Sequence, residues 1–301
     1  MKDQAERLRM IARSLQDQIR SQIYNSTKGC RVVAVTSGKG GVGKTNLALG
    51  LSLALAKAGY RVMILDADMG LANIDVILGL IPRYNLAHVF AGERRIEEIL
   101  QAGPAGLWII PGGSGIEELA NLEPLALTKL LQEIAALGQN LDYLFIDTGA
   151  GISRQVLAFI LAADEVLLVT TPEPTALTDA YGLIKVFSRH QGKGKIKLVI
   201  NMVTSEQEGL DAAQKLISVV HQFLNIKIEV AGFIPSDTAV QDAVRKHQAY
   251  LLAFPRSPAS LSTIKIASSL GERSGKPPRG IQNFFEQLLA FFRGKENERL
   301  G

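Results

Sequence analysis

Seven short apolar runs alternate with segments of helical periodicity between Arg31 and Tyr250. Most of the runs are continuous in Val, Ile and Leu, which is typical of strands buried on both faces of a parallel sheet. Strands that alternate with helices imply right-handed crossovers and a doubly wound, mostly parallel α/β fold, with the ligand at the carboxyl ends of the strands. The predicted strands are 31–37, 61–68, 106–112, 143–148, 165–171, 197–203 and 230–235, and the clearest helices are 44–58, 124–137 and 209–224.

The composition narrows the classes of protein to which this chain can belong. Of 301 residues, 47% are hydrophobic and 21% are charged, and the net charge of +4 permits an anionic partner without demanding one. Cys30 is the only cysteine, which excludes an intrachain disulfide and the cysteine pairs of an iron–sulfur carrier. The start MKDQAERLRM is too polar for a secretory signal, and no apolar run reaches the roughly 18 residues of a membrane span. We expect a cytoplasmic protein that is soluble or lies reversibly on the inner face of the cell membrane.

The segment 38–45 satisfies the phosphate-loop pattern G-x-x-x-x-G-K-[ST] between a predicted strand and a predicted helix. Its glycines allow backbone N–H groups to curl around phosphate oxygens, and the helix N-terminus adds its positive dipole end. Lys44 is expected to reach the β- and γ-phosphates, and the Thr45 hydroxyl is expected to bind Mg²⁺. The alternative is a glycine turn that only happens to match. The predicted loop consists of Gly38, Lys39, Gly40, Gly41, Val42, Gly43, Lys44, Thr45 and Asn46.

Lys39 is a second lysine in the same loop, where Lys44 already performs the task that one subunit needs. An ammonium group at the mouth of the loop could cross a two-fold axis and contact the phosphates held by a second copy, as an arginine finger does. A solvated loop lysine is the alternative interpretation.

The pattern Lys39-Gly-Gly-x-Gly-Lys44-Thr45 resembles the deviant Walker A motif of the MinD/ParA ATPases, and this resemblance to a family of P-loop NTPases extends from 31 to about 250. It implies slow hydrolysis of ATP to ADP and phosphate with Mg²⁺. It also implies a homodimer that sandwiches ATP and that separates into monomers with ADP. Lys39 would be the family's signature lysine, catalytic together with Lys44.

Two acidic segments resemble the switch regions of this family. ILDADMGLANIDVILG (64–79) resembles switch I, where the resemblance gives Asp68 the role of orienting the attacking water and places Asp66 near the hydration shell of the metal. FIDTGAG (145–151) resembles switch II, with the catalytic Asp147 contacting Mg²⁺ through a water. The alternative in both segments is a turn with solvated acids at the end of a strand.

Four further residues are assigned to the edge of the nucleotide site by the resemblance. Asn201 would hydrogen-bond adenine, and Pro235 and Asp237 in IPSD would surround the base. Glu173 in TPEP would reach the nucleotide of the partner subunit. Ordinary loop chemistry is the alternative for each of them.

The C-terminal segment IQNFFEQLLAFFRGK carries an unbroken apolar stripe on a predicted helix. A short aromatic helix that follows a Pro- and Gly-rich linker, with no local surface to pack on, suits the interface of an anionic membrane. The alternative is that the helix docks back onto the domain. The stripe consists of Ile281, Phe284, Phe285, Leu288, Leu289 and Phe292.

The N-terminal stretch DQAERLR (3–9) resembles the DQAxxLR activating motif of the FlhG-type ATPases (also called FleN or YlxH), a flagellar branch of the MinD-like proteins. The resemblance implies regulation of flagellar number, stimulation of the SRP-type GTPase FlhF, and contacts with components of the flagellar C-ring. Gln4 would position a water at the partner's nucleotide. An ordinary capping helix is the alternative. The matching residues are Asp3, Gln4, Ala5, Leu8 and Arg9.

Four other functions compete with this hypothesis. A ParA-type partitioning ATPase would bind DNA, with Lys193, Lys195 and Lys197 on a basic face, but the aromatic tail has no place in that scheme, so DNA is not expected. A MinD-type division-site regulator does not account for the N-terminal helix. A metal-cluster carrier lacks cysteines, and an adaptor would hydrolyse ATP only incidentally. The predicted organisation is an activating helix at 1–24, an ATPase domain at 31–253, a final helix (roughly 258–271) and linker at 254–280, and a membrane-targeting helix and tail at 281–301.

Overall fold

A single sheet of eight strands organises the chain in the computed structural model, which describes residues 29–68, 73–112, 124–271 and 278–294. The strands are β1 (Arg31–Ser37), β2 (Val62–Ala67), β3 (Gln101–Ala102), β4 (Trp108–Ile110), β5 (Tyr143–Ala150), β6 (Glu165–Thr170), β7 (Lys195–Val203) and β8 (Glu229–Pro235). Their order across the sheet is β3-β4-β2-β5-β1-β6-β7-β8. All neighbours are parallel except β3, which runs antiparallel to β4.

The predicted doubly wound, mostly parallel sheet is confirmed, and all seven predicted strands are present with ends within two residues of the prediction. The reason is that four of them are buried along nearly their whole length, so a continuous apolar run identifies each one. The sequence missed β3, because two residues are too few to show a strand period.

Helices cover both faces of the sheet and bury two separate apolar clusters. Successive residues of β1 point to opposite faces, so that Val32 and Ala34 enter one cluster and Val33 and Val35 the other. The first cluster is covered by α3 (Leu86–Phe90), α4 (Ile96–Ile99), α5 (Pro124–Gln139), α6 (Arg154–Ala162), α7 (Pro174–Arg189), α8 (Glu206–Leu224) and α12 (Gly280–Gly294). The second is covered by α1 (Lys44–Lys57), α2 (Asn73–Leu78), α9 (Thr238–Arg245), α10 (Tyr250–Ala253) and α11 (Pro258–Gly271).

The helix predicted near 258–271 is α11, and it belongs to the core of the ATPase domain. It packs on α1 and on β8, and it buries Ile266, Ala267 and Leu270. The hydroxyl of Thr263 on α11 lies 2.6 Å from the hydroxyl of Tyr250, with both groups buried. The segment that follows the predicted 31–253 domain therefore completes one face of the sheet.

The helix predicted at the C-terminus is α12, and its apolar stripe is buried in the domain. Its six residues are at most 5% exposed, and the helix lies against α5, α6 and β1. The Phe284 ring stacks on the Phe159 ring of α6 with centroids 6.2 Å apart. The expectation that the stripe has no local surface to pack on is wrong, because α5, α6 and β1 together form an apolar surface on which it lies. The alternative prediction, that the helix docks back onto the domain, is confirmed.

Polar contacts hold α12 at both ends. Before its start, the backbone N–H and the Nε of Arg279 donate to Asp164 Oδ1 at 3.0 and 3.1 Å, and Arg279 Nη2 donates to the carbonyl of Ala163. Near its end, Arg154 Nη2 donates to the Phe292 carbonyl at 2.9 Å. Within the described residues, no helix is both long and apolar enough to cross a membrane.

Candidate nucleotide-binding site

The predicted phosphate loop joins the end of β1 to the start of α1 at the carboxyl edge of the sheet. Gly43, directly before α1, adopts a φ of 84°, which glycine tolerates without strain. A Cβ atom at Gly43 would also collide with Asn201 Nδ2, and one at Gly38 would collide with the backbone of Asp179 on α7. The loop therefore requires glycine at both positions, and the strand–loop–helix context of the motif is confirmed.

Asp147 is a buried carboxylate beside the phosphate loop. It lies on β5 level with Asp66 on β2, and its Oδ1 is 4.0 Å from Lys44 Nζ. Its side chain is fully buried, with the Lys44 ammonium and the Thr45 hydroxyl as polar neighbours. Burial raises the pKa of Asp147 to about 7, although the Lys44 ammonium lowers it in part.

These features of Asp147 fit the predicted magnesium site. A fully buried carboxylate is stabilised by a nearby cation, and Mg²⁺ prefers oxygen ligands and keeps several waters. Thr45, at the second position of α1, is the residue whose hydroxyl would bind the ion directly. A bound Mg²⁺ would supply positive charge for the phosphates and for Asp147.

Asp66 lies near the end of β2 and Asp68 directly follows the strand, but their carboxylates have different contacts. Both oxygens of Asp66 accept backbone hydrogen bonds, Oδ1 from Asp68 at 3.1 Å and Oδ2 from Asn73 and Ile74 at 3.0 and 3.1 Å. Burial raises the pKa of Asp66 to about 6, and these donors lower it in part. Asp66 therefore fixes the backbone of Asp68 to the start of α2. Its predicted position near the hydration shell of the metal remains a prediction.

Asp68 lines the cleft next to the phosphate loop. Asn73 Nδ2 donates to Asp68 Oδ2 at 3.2 Å, and a Cβ atom at Gly149 would lie 3.5 Å from Asp68 Oδ1. The segment that resembles switch I thus adjoins the segment that resembles switch II, with the Asp68 carboxylate between them.

Lys39 lies at the mouth of the loop with its side chain 41% exposed. Its Nζ is 2.9 Å from Glu173 Oε2 and 3.0 Å from Thr175 Oγ1. The sequence expectation that Lys39 has no task within one subunit missed this contact, because 134 residues separate the two partners. Lys39 and Glu173, both predicted to reach a second subunit, lie side by side on one exposed surface.

A cleft of about 690 Å³ continues from the phosphate loop toward β7, β8 and α9. It unites most of the predicted site residues, namely Gly40, Gly41, Gly43, Lys44, Thr45, Asn46, Asp68, Asn201, Pro235 and Asp237. Gly38, Lys39, Val42, Asp66, Asp147 and Glu173 lie beside it. Sequence reasoning missed the wall formed by Met202, Val240, Gln241, Val244 and Arg245. The spacing of Val240 and Val244 on the helix after IPSD was the available signal, since residues four apart share a helix face.

Asp237 supports the wall of the cleft. Its Oδ1 accepts the N–H of Ala239 at 2.9 Å and so caps α9, and its Oδ2 accepts the N–H of Ala259 at 3.0 Å on α11. Partial burial acts to raise the pKa of Asp237, but the hydrogen bonds from Ala259 and Ala239 outweigh it and hold the pKa below its usual value. The predicted residue thus joins two helices at the edge of the site.

Comparison with known proteins gives the family. A family model described as the CobQ/CobB/MinD/ParA nucleotide binding domain matches residues 33–250. The chain belongs to this family. As a MinD/ParA-type domain it is a nucleotide-binding ATPase domain, which agrees with the cleft and with the phosphate loop at its base.

Several individual proteins are similar over most of their length. The chain is 45% identical to the antiactivator FleN of Pseudomonas aeruginosa over 86% of this chain and 93% of that protein. It is 36% identical to the flagellum site-determining protein YlxH of Helicobacter pylori, over 89% of this chain and 92% of that protein. Among solved structures, MinD of Pyrococcus horikoshii in complex with Mg-ADP superposes with a TM-score of 0.66 at 25% identity, over 82% of this chain and 98% of that one.

The predicted activating residues Asp3, Gln4, Ala5, Leu8 and Arg9 lie outside the described residues. The residues of α12 that were predicted to contact a membrane are buried in the core of the domain and do not line the cleft. The structure therefore unites the nucleotide-site residues and leaves the two ends of the chain as separate questions.

Proposed function

We propose that the chain is an ATP-driven switch that regulates the number and placement of flagella. The observation that carries the proposal is the position of Lys39, whose ammonium group stands exposed at the mouth of the phosphate loop beside Glu173. An exposed ion pair contributes little to stability. Breaking the contact between Lys39 and Glu173 therefore costs little free energy when the phosphates of a second subunit become available to Lys39. The flagellar role is supported by the similarity to FleN and YlxH.

The dimer is tested by sedimentation velocity with a non-hydrolysable ATP analogue. We expect dimers with the analogue and monomers with ADP, and Lys39→Ala should leave the chain monomeric with both, because the phosphates lose their contact across the interface. Lys193→Ala is the matched control, since it removes an exposed lysine that precedes β7 and lies outside the loop. A chain that stays monomeric with saturating analogue at high micromolar concentration would refute the proposal.

Association with an anionic membrane is the second part of the proposed switch. Exposure of the stripe of α12 would break the hydrogen bond from Arg154 to the Phe292 carbonyl, and complete release of the helix would also break the contacts of Arg279 with Asp164. Arg154 is the first residue of α6 and lies three residues after the segment that resembles switch II, so a change at the nucleotide can reach the end of α12. The chain would then be cytoplasmic with ADP and peripheral on the inner face of the cell membrane with ATP.

The membrane proposal and the ParA-type alternative predict different partners for the ATP-bound chain. We expect flotation with anionic liposomes to require the ATP analogue, and we expect no shift of nonspecific DNA in a gel under the same conditions. A DNA shift that weakens steeply with salt, without flotation, would favour the partitioning function instead.

Stimulation of FlhF is proposed for the N-terminal segment on the strength of the motif DQAERLR. A peptide of residues 1–23 should raise the GTP turnover of purified FlhF, and Gln4→Ala should reduce this gain by about tenfold or more, as expected for loss of a group that positions water. Gln18→Ala in the same peptide is the control and should keep the gain. Equal stimulation by both variant peptides would remove the role of Gln4.

Components of the flagellar C-ring are the third class of proposed partner. The nucleotide state would set this contact as it sets the dimer. Purified C-ring proteins should be retained by the immobilised chain with the ATP analogue and not with ADP, and retention that is independent of nucleotide would argue for a constitutive adaptor.

A further inference from the structure

Asn201 on β7 is held by two backbone groups that fix the orientation of its amide. Its Nδ2 donates to the carbonyl of Val42 in the phosphate loop at 2.8 Å, and its Oδ1 accepts the N–H of Met202 at 2.9 Å. A carbonyl requires a donor and an N–H requires an acceptor, so the two ends of the amide cannot be exchanged. The residue is 9% exposed, and the bond to Val42 is buried.

The bond to Val42 determines the direction of a phosphate-binding N–H. The Val42 carbonyl and the Gly43 N–H belong to one planar trans peptide and point in opposite directions. When Asn201 holds the carbonyl on the β7 side, the Gly43 N–H is turned to the other side. The loop also approaches Asn201 so closely at Gly43 that a Cβ atom there would collide with Nδ2. Asn201 thus packs against the phosphate loop and also lines the cleft.

Asn201 also connects the loop to the wall that surrounds the base. In the sheet it pairs with Ile234 on β8, and Pro235, which lines the cleft, follows directly. Met202, the next residue on β7, adopts a φ of 60° and lines the same wall. A non-glycine residue in this conformation is uncommon and marks a backbone that is over-determined by its surroundings.

We propose that Asn201 is a positioning residue of the phosphate loop, which it orients independently of any contact that it makes with the base. The proposal requires nucleotide binding, which follows from membership of the family, and it requires neither dimerisation nor membrane association. Its failure and the failure of the proposed switch are therefore distinguishable.

A ligand without a base provides the test. We expect Asn201→Ala, which removes the hydrogen bond to Val42 without adding a charge beside the phosphates, to weaken the affinities for ADP and for inorganic tripolyphosphate by the same factor of about ten, as one lost buried hydrogen bond predicts. Isothermal titration calorimetry with the full chain measures both affinities. Asn201→Ser, which is also uncharged, serves the same comparison should the Ala variant fail to fold.

Val240→Ala is the matched control, because Val240 lines the base end of the cleft and is distant in sequence from the loop. It should weaken the affinity for ADP and leave the affinity for tripolyphosphate unchanged. The ³¹P chemical shift of the β-phosphate of bound ADP should change in Asn201→Ala and stay the same in Val240→Ala. A purely structural role of Asn201 would not change this chemical shift. The proposal is overturned if the Asn201 variants lose affinity for ADP alone, or if the native chain does not bind tripolyphosphate.

Discussion

Phe284→Ala should lower the free energy of unfolding by about 3–5 kcal/mol, because it opens a cavity between α12 and α6. Phe284 is 1% exposed and stacks on Phe159. Chemical denaturation of the native and variant chains, monitored by circular dichroism, measures the difference.

The matched control for this prediction is Phe223→Ala on α8. Phe223 is 65% exposed, so the same truncation should change the free energy of unfolding by less than about 0.5 kcal/mol. Equal and small effects of both substitutions would show that α12 is not part of the folded core in solution. The same Phe284 variant should also weaken flotation with liposomes, because one stripe serves both the core and the proposed membrane contact.

Asp68→Ala should reduce ATP turnover by about 100-fold or more while the analogue-bound dimer persists. The carboxylate is the group that the family resemblance assigns to the attacking water, and loss of such a group costs about 10²–10⁴ in rate. In the structure Asp68 lines the cleft between the two switch segments, with Gly149 close to its carboxylate. A phosphate-release assay and sedimentation velocity on the same samples measure the two properties.

Asp211→Ala is the control for Asp68, since Asp211 is an exposed acid on α8 that bonds only Gln207 among the described side chains. It should leave both turnover and dimer unchanged. Turnover within about threefold of the native rate in Asp68→Ala would exclude the assigned role. Loss of the dimer would instead make Asp68 a residue of the interface or of the loop that Asp66 anchors.

The site residues were predictable to the extent that their chemistry is local. Lys44, Thr45 and Gly43 lie within one loop, and a glycine at positive φ before a helix is a property of that short segment. Asp66, Asp68 and Asp147 were predictable because the carboxyl ends of neighbouring parallel strands meet at one edge.

The use of each polar group was harder to predict, because it depends on partners that are distant in sequence. Asp66 lies at the end of the strand that Asp68 follows, yet its oxygens accept hydrogen bonds from the backbone of Asp68 and from the start of α2. The Asn201 amide meets Val42 across 159 residues, and Lys39 meets Glu173 across 134. A sequence pattern identifies the type of side chain at the site, and only the packing of the elements assigns its hydrogen bonds.

The order of strands and helices, the phosphate loop and the position of each acid at a strand end were determined by the sequence alone, since each depends on residues that are close along the chain. The tertiary structure decided where the stripe of α12 is buried. Apolar burial is nearly non-directional and scales with the area removed from water, so the stripe by itself suits a membrane as well as a protein core. The apolar surface formed by α5, α6 and β1 offers that area within the domain, and such a surface exists only after these elements have packed together.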